Sequence, residues 1–153
     1  MDKIDKTDII ILEELQKNAD QTIYQLAKYL GMKRSTIYNR IKRLKQEKII
    51  RGYQAIIDQS KLGLPLCTFI LARIRKTGSM EEVCKEISKD PQIEEIHPIT
   101  GSFDLVIKAR FKDMNDLSAF TLKSLSKPTL ANKIQRTETL LSLGTYKEYF
   151  QNV

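Results

Sequence analysis

Tryptophan is absent from this 153-residue sequence, and glycine and proline are sparse, at six and four residues. No low-complexity tract appears. Hydrophobic residues make up 41 %, enough for a core, which excludes a disordered chain. No apolar run is long enough to span a bilayer. The opening "MDKIDKTDIIILEEL" lacks the basic region and small-residue cleavage site of a signal peptide. The reading is therefore a cytoplasmic protein without a membrane partner. The two cysteines, Cys67 and Cys84, form no CxxC pair and have no nearby histidine, which argues against zinc and for buried, reduced thiols. A single histidine, His97, supplies neither a metal cluster nor a triad. It sits before Pro98 with Glu94 and Glu95 nearby, open to a structural, ligand-contacting or pH-sensing role. With no nucleophile–base pair and no glycine-rich phosphate loop, the sequence predicts no enzyme, no metal and no cofactor.

What is present is a concentrated positive charge. The net charge is +7. Residues 33–51 hold Lys33, Arg34, Arg40, Lys42, Arg43, Lys45, Lys48 and Arg51 against Glu47, and the rest of the chain is balanced. A local basic block on a neutral background points to a polyanion.

The length fits one domain or two small ones. The N-terminal part reads as three helices. Asp5 is an N-cap candidate, followed by Ile9, Leu12 and Leu15 at helical spacing. Thr22 and Gln25 make a capping box, and Ile23, Leu26, Ala27 and Leu30 form a stripe ended by Gly31. Only Met32 and Lys33 separate this from a third helix, the spacing of a helix-turn-helix. In "KRSTIYNRIKRLKQEK", Ile37, Ile41 and Leu44 share one narrow face. Ser35, Asn39, Lys42 and Gln46 lie opposite, flanked by Thr36, Tyr38 and Arg43, as a helix in the major groove requires. The domains are read as 1–49 for this unit, 50–64 for a strand-like hinge, and 65–153 for the remainder.

The remainder reads β-α-β-β-α-β, an α+β ferredoxin-like sandwich. "LCTFILARIR", "QIEEIHPIT", "FDLVIKARF" and "KIQRTETLLSLGTY" are its strands; "SMEEVCKEISKD" and "DMNDLSAFTLKSL" are its helices. In the third strand Leu105, Ile107, Ala109 and Phe111 face one way and Val106, Lys108 and Arg110 the other. Helices on one face leave the other bare, which predicts at least a dimer.

The chain resembles the Lrp/AsnC, or feast/famine, transcription regulators over essentially its full length. The resemblance rests on "IDKTDIIILEELQKNA", "QLAKYLGMKRSTIYNRIKRL", "IIRGYQAIID" and "TGSFDLVI", in that order. It implies a winged-type helix-turn-helix joined by a hinge strand to a ferredoxin-like effector domain. It also implies homodimers assembling into tetramers or octamers, with an amino-acid effector bound in many members. Two positions depart from the family's pattern: Lys33 where a capping serine is usual, leaving the helix end to Ser35 as a substitute cap or to a DNA phosphate, and Gln21 where arginine is frequent.

For double-stranded DNA the candidates are Arg34, Ser35, Thr36, Tyr38, Asn39, Lys42 and Arg43. Arg34, Lys42 and Arg43 suit phosphate or guanine, and Asn39 suits adenine. Arg40 lies nearer the apolar edge and is expected to pair with an acid of the bundle, such as Glu13 or Glu14. The loop "TGSFDLV" is either an ordinary turn or a ligand loop. The resemblance makes Gly101, Ser102 and Asp104, with Thr137 and Thr139 of the last strand, the effector candidates, Asp104 for an α-ammonium group. The functional expectation is a DNA-binding regulator responsive to a small effector. The alternative is an architectural DNA-wrapping protein without one.

Overall fold

The computed structural model describes residues 4–76 and 78–146. The chain divides into two compact units, with the boundary between Ile56 and Ile57, inside the segment read as the hinge.

The first unit is built from α1 (Lys6–Lys17), α2 (Ile23–Tyr29) and α3 (Arg34–Gln46). Asp5 caps α1 by accepting the Asp8 N–H, and the Asp8 carboxylate accepts the Asp5 N–H in return. Thr22 and Gln25 repeat this box at α2. Gly31, at φ 63, closes α2, and the Met32 N–H donates to the Ala27 carbonyl at 2.9 Å. That left-handed turn redirects the chain into α3. Ile11, Leu15, Leu26, Ala27, Ile37 and Ile41 pack together as the core. The buried stripe of α1 runs Asp8, Ile11, Leu15, whereas the sequence reading placed Ile9 there. Ile9 is 47 % exposed. The helix is rotated because an aspartate, neutralised by arginines of α3, takes an inward position that hydrophobicity alone assigns to isoleucine.

After α3 the chain turns at Lys48, the one positive-φ non-glycine among the described residues (φ 58). The N–H groups of Ile49 and Ile50 both donate to the Leu44 carbonyl, at 2.9 and 3.1 Å. Ile50 packs on the helical core. The first unit thus holds no β-hairpin among its described residues: the chain after α3 folds back onto that helix. Residues 51–58, expected to be strand-like, carry no regular structure, because no strand of the described chain pairs with them. A 3-10 turn, Gln59–Leu62, follows and ends at Gly63 (φ 82).

The second unit contains strands β1 (Leu66–Ile74), β2 (Ile93–Pro98), β3 (Leu105–Phe111) and β4 (Ile134–Leu141). They form a four-stranded antiparallel sheet in the order β2-β3-β1-β4. The helices are α4 (Met80–Ile87), α5 (Met114–Ala119), running into a π-type turn at Phe120–Ser124, and the short α6 (Pro128–Ala131). Leu105, Ile107, Ala109 and Phe111 are fully buried, as the alternation of β3 predicts. They pack with Ile70, Ala72, Val83, Ile87, Leu117, Phe120 and Leu130 in one core. The Phe111 and Phe120 rings meet at 5.2 Å. The other sheet face carries Phe69 and Leu140, both partly exposed, with Lys108 and Arg110 beside Glu94. Cys67 is buried and Cys84 partly buried; neither is in a disulfide, and burial pushes the Cys84 thiol up.

Candidate DNA-binding face and effector loop

The sequence of α3 builds a two-sided helix. Ile37, Ile41 and Leu44 are buried, while Arg34, Ser35, Tyr38, Asn39 and Lys42 are exposed and Thr36, Arg40 and Arg43 half-buried. All seven DNA-contact candidates therefore lie on one helix away from its apolar seam. Lys33 is the N-cap and makes no side-chain cap bond. Ser35 lies inside the first turn, so it does not substitute as a cap. Gln21 has its own function: its Nε2 donates to the Glu14 and Asn18 carbonyls, both at 2.9 Å, and satisfies the end of α1.

The arginines of α3 divide by partner. Arg40 pairs with acids of the bundle, as expected, but with Asp5 at 2.6 Å and Asp8 at 2.8 Å in place of the suggested Glu13 or Glu14. Arg43 donates to the other oxygen of Asp8. The Asp8 side chain has no exposed surface. Burial pushes its carboxyl up, but the Asp5 N–H, Arg40 and Arg43 outweigh this and hold it below the ordinary carboxylate value. Arg40 likewise holds the Asp5 carboxyl low. Asp5, Thr36, Asn39, Arg40 and Arg43 line one shallow surface depression. Arg34 instead lies over the Tyr24 ring, 4.2 Å from its centre, and Lys45 over Tyr53 at 4.8 Å. Sequence reasoning missed Asp8 and Tyr24. The first was readable only as a helix cap, and the second lies on a different helix from its partner.

In the second unit, the loop between β2 and β3 is tied to the end of β1. The Asp104 N–H donates to the Ala72 carbonyl at 3.0 Å. One oxygen of Asp104 accepts from Arg73 at 3.0 Å and the other from the Ile74 N–H at 2.7 Å. Arg73 also donates to the Gly101 carbonyl at 3.2 Å. Gly101 stands at φ 119, which side-chain-bearing residues rarely adopt. Arg136 lies over the Phe103 ring at 4.6 Å. The structure thus brings Gly101, Ser102 and Asp104 together with Arg73 and Arg136. It sets Thr137 and Thr139 apart from them: they pair with Ala72 and Ile70, whose side chains lie in the helix-side core. Cross-strand partners share a face. His97 is exposed and meets Glu95 at 2.9 Å.

Among the described residues, no group of three or more His, Cys, Asp or Glu could hold a metal, and no helix is long and apolar enough to cross a membrane. The helix-turn-helix with its basic third helix, followed by a separate sheet-and-helix unit, defines a class of two-part DNA-binding regulators. An AsnC-type helix-turn-helix domain matches residues 4–45, and an Lrp/AsnC ligand binding domain matches residues 67–151. The chain belongs to the Lrp/AsnC family and is a transcriptional regulator of that family.

It is 34 % identical over 148 residues to the HTH-type transcriptional regulator FL11 of Pyrococcus horikoshii, covering 97 % of this chain and 93 % of the relative. Among solved structures it is similar to the transcriptional regulator NMB0573 of Neisseria meningitidis in complex with L-Met. The identity is 30 %, the coverage 97 % and 96 %, and the TM-score 0.90. It is also similar to AsnC of E. coli, at 26 % identity, 95 % and 96 % coverage and a TM-score of 0.85.

Proposed function

We propose that α3 enters the major groove of double-stranded DNA and that a small effector, an amino acid, tunes binding through the second unit. The reading rests on one observation above the rest: a relative of 30 % identity and the same fold over nearly the whole chain is complexed with L-Met. Within this chain, the Gly101 carbonyl accepts from Arg73, and Arg136 lies over the ring of nearby Phe103. Arg136 suits a carboxylate; Arg73 is already paired with Asp104. The partly apolar sheet face, with Phe69 and Leu140, is where a second copy packs. Homodimers place two recognition helices on successive grooves about 34–36 Å apart, and further assembly gives tetramers or octamers. Such a protein works inside the cell.

The test is the melting temperature of the purified protein with each of the twenty amino acids at millimolar concentration. A ligand that binds only the folded state stabilises it by about 2.7 kcal/mol at a hundredfold excess over Kd. A clear upward shift with one or a few amino acids supports the reading. No shift with any favours the second reading, an effector-independent DNA-wrapping protein. One feature favours that second reading: both oxygens of Asp104 are already taken by Arg73 and the Ile74 N–H.

A further inference from the structure

The basic side chains of α3 look equivalent in sequence, but their partners separate them. Arg40 and Arg43 face the carboxylates of Asp5 and Asp8, which cancel much of their charge and engage Nη1 of Arg40 and Nη2 of Arg43. Arg34 is different. Its guanidinium lies 4.2 Å from the centre of the Tyr24 ring, and among the described residues it has no carboxylate partner. An aromatic face orders a guanidinium without neutralising it, and it leaves the N–H edge available to an acceptor. Arg34 is also the first residue of α3, in the turn that reaches deepest into the major groove in helix-turn-helix proteins. Tyr24 is 50 % exposed, so its ring contributes little to the core.

From this, and resting on the DNA-binding reading above, we propose that Tyr24 is a positioning residue. It restrains Arg34 so that the guanidinium meets a guanine edge, for which a forked donor pair is the matching chemistry. Arg34 then sets the base preference at one position of each half-site. Arg43, which looks equally suited in the sequence, is committed to holding α3 against α1.

The test is selection from a randomised duplex pool, followed by binding titrations on every single-base variant of the enriched site. Four proteins are compared: the unaltered chain, Tyr24→Leu, Tyr24→Phe and Arg34→Ala. Helical circular dichroism confirms that each is folded. The expected result is an enriched motif holding a guanine at which Arg34→Ala loses about 5- to 150-fold of discrimination. Tyr24→Leu loses roughly three- to tenfold at that same position and little elsewhere, while Tyr24→Phe, which keeps the ring, retains it.

Three results would overturn the proposal. Tyr24→Leu could match the unaltered chain at every base. Tyr24→Phe could behave as Tyr24→Leu does, which would credit the hydroxyl and not the ring. Or Arg34→Ala could weaken all sequences equally, which would make Arg34 a phosphate contact. If the unaltered chain enriches no motif at all, sequence-specific DNA binding fails, and this inference fails with it.

Discussion

Replacing Asp8 by asparagine tests whether the helix-turn-helix is held by its buried charge cluster. The Asp8 side chain has no exposed surface, and its oxygens accept from the Asp5 N–H, Arg40 and Arg43. Removing one partner from a buried pair costs about 3–5 kcal/mol, because the charge left behind is uncompensated. Here the arginine side chains keep 26 % and 29 % of their surface exposed, so they can rehydrate, and asparagine can still accept the Asp5 N–H. The expected loss is therefore at the lower end, about 3 kcal/mol. A helical unit of about fifty residues has a total stability on the order of 3–8 kcal/mol, so the change removes a large share of it.

The assay is urea denaturation followed by far-ultraviolet circular dichroism. A loss under about 1 kcal/mol would refute the reasoning and show that the cluster is replaceable. The same substitution carries a pH signature. The Asp8 carboxyl is held below its ordinary value near 3.8. Its pairing therefore stabilises the fold above that pH, and the contribution is lost as pH falls through the lower folded value. The acid limb of the stability curve should flatten in Asp8→Asn. An unchanged limb would mean that other carboxylates cause it.

Lys48→Gly should raise stability by about 1 kcal/mol, because lysine at φ 58 bears a left-handed cost that glycine avoids; a thermal melt checks this, and a drop would contradict it. Gly101→Ala should destabilise by about 1–3 kcal/mol despite open space around it, since φ 119 is strained for any side chain, and equilibrium unfolding measures it. Asp104→Ala should cost about 1–3 kcal/mol by leaving the Ile74 N–H without its acceptor and Arg73 with only the Gly101 carbonyl. A variant that melts like the unaltered chain would return Asp104 to the role of a free ligand contact.

Much of this was legible in the sequence, and the exceptions are instructive. The N-cap at Asp5, the capping box at Thr22, the glycine stop at Gly31 and the two-sided α3 follow from local rules, because each depends on residues close in sequence. The β3 alternation is equally local. What failed depends on distant partners. Ile9 and Ile11 are equivalent to a periodicity argument until Asp8 is known to face inward, and that depends on Arg40 and Arg43 about thirty residues away. The strand character of residues 51–58 is a property of their side chains; a strand needs a neighbour, and the described chain supplies none. At the candidate effector loop, residue types left Asp104 open between a turn and a ligand contact and could not reveal that Arg73 and the Ile74 N–H already hold both its oxygens. Thr137 and Thr139 fall on the helix side because the register of β4 against β1 sets the face, and one residue of slip would reverse it.

The central claim is that an amino acid alters how this chain binds DNA. The most direct measurement is the fluorescence anisotropy of a labelled duplex carrying the selected motif. It is titrated with the protein at fixed salt, alone and with each of the twenty amino acids. The account predicts steep salt dependence and a change in Kd of about 5- to 150-fold with one or a few amino acids. Identical titrations under every condition would contradict it and leave a DNA-binding protein that senses no amino acid.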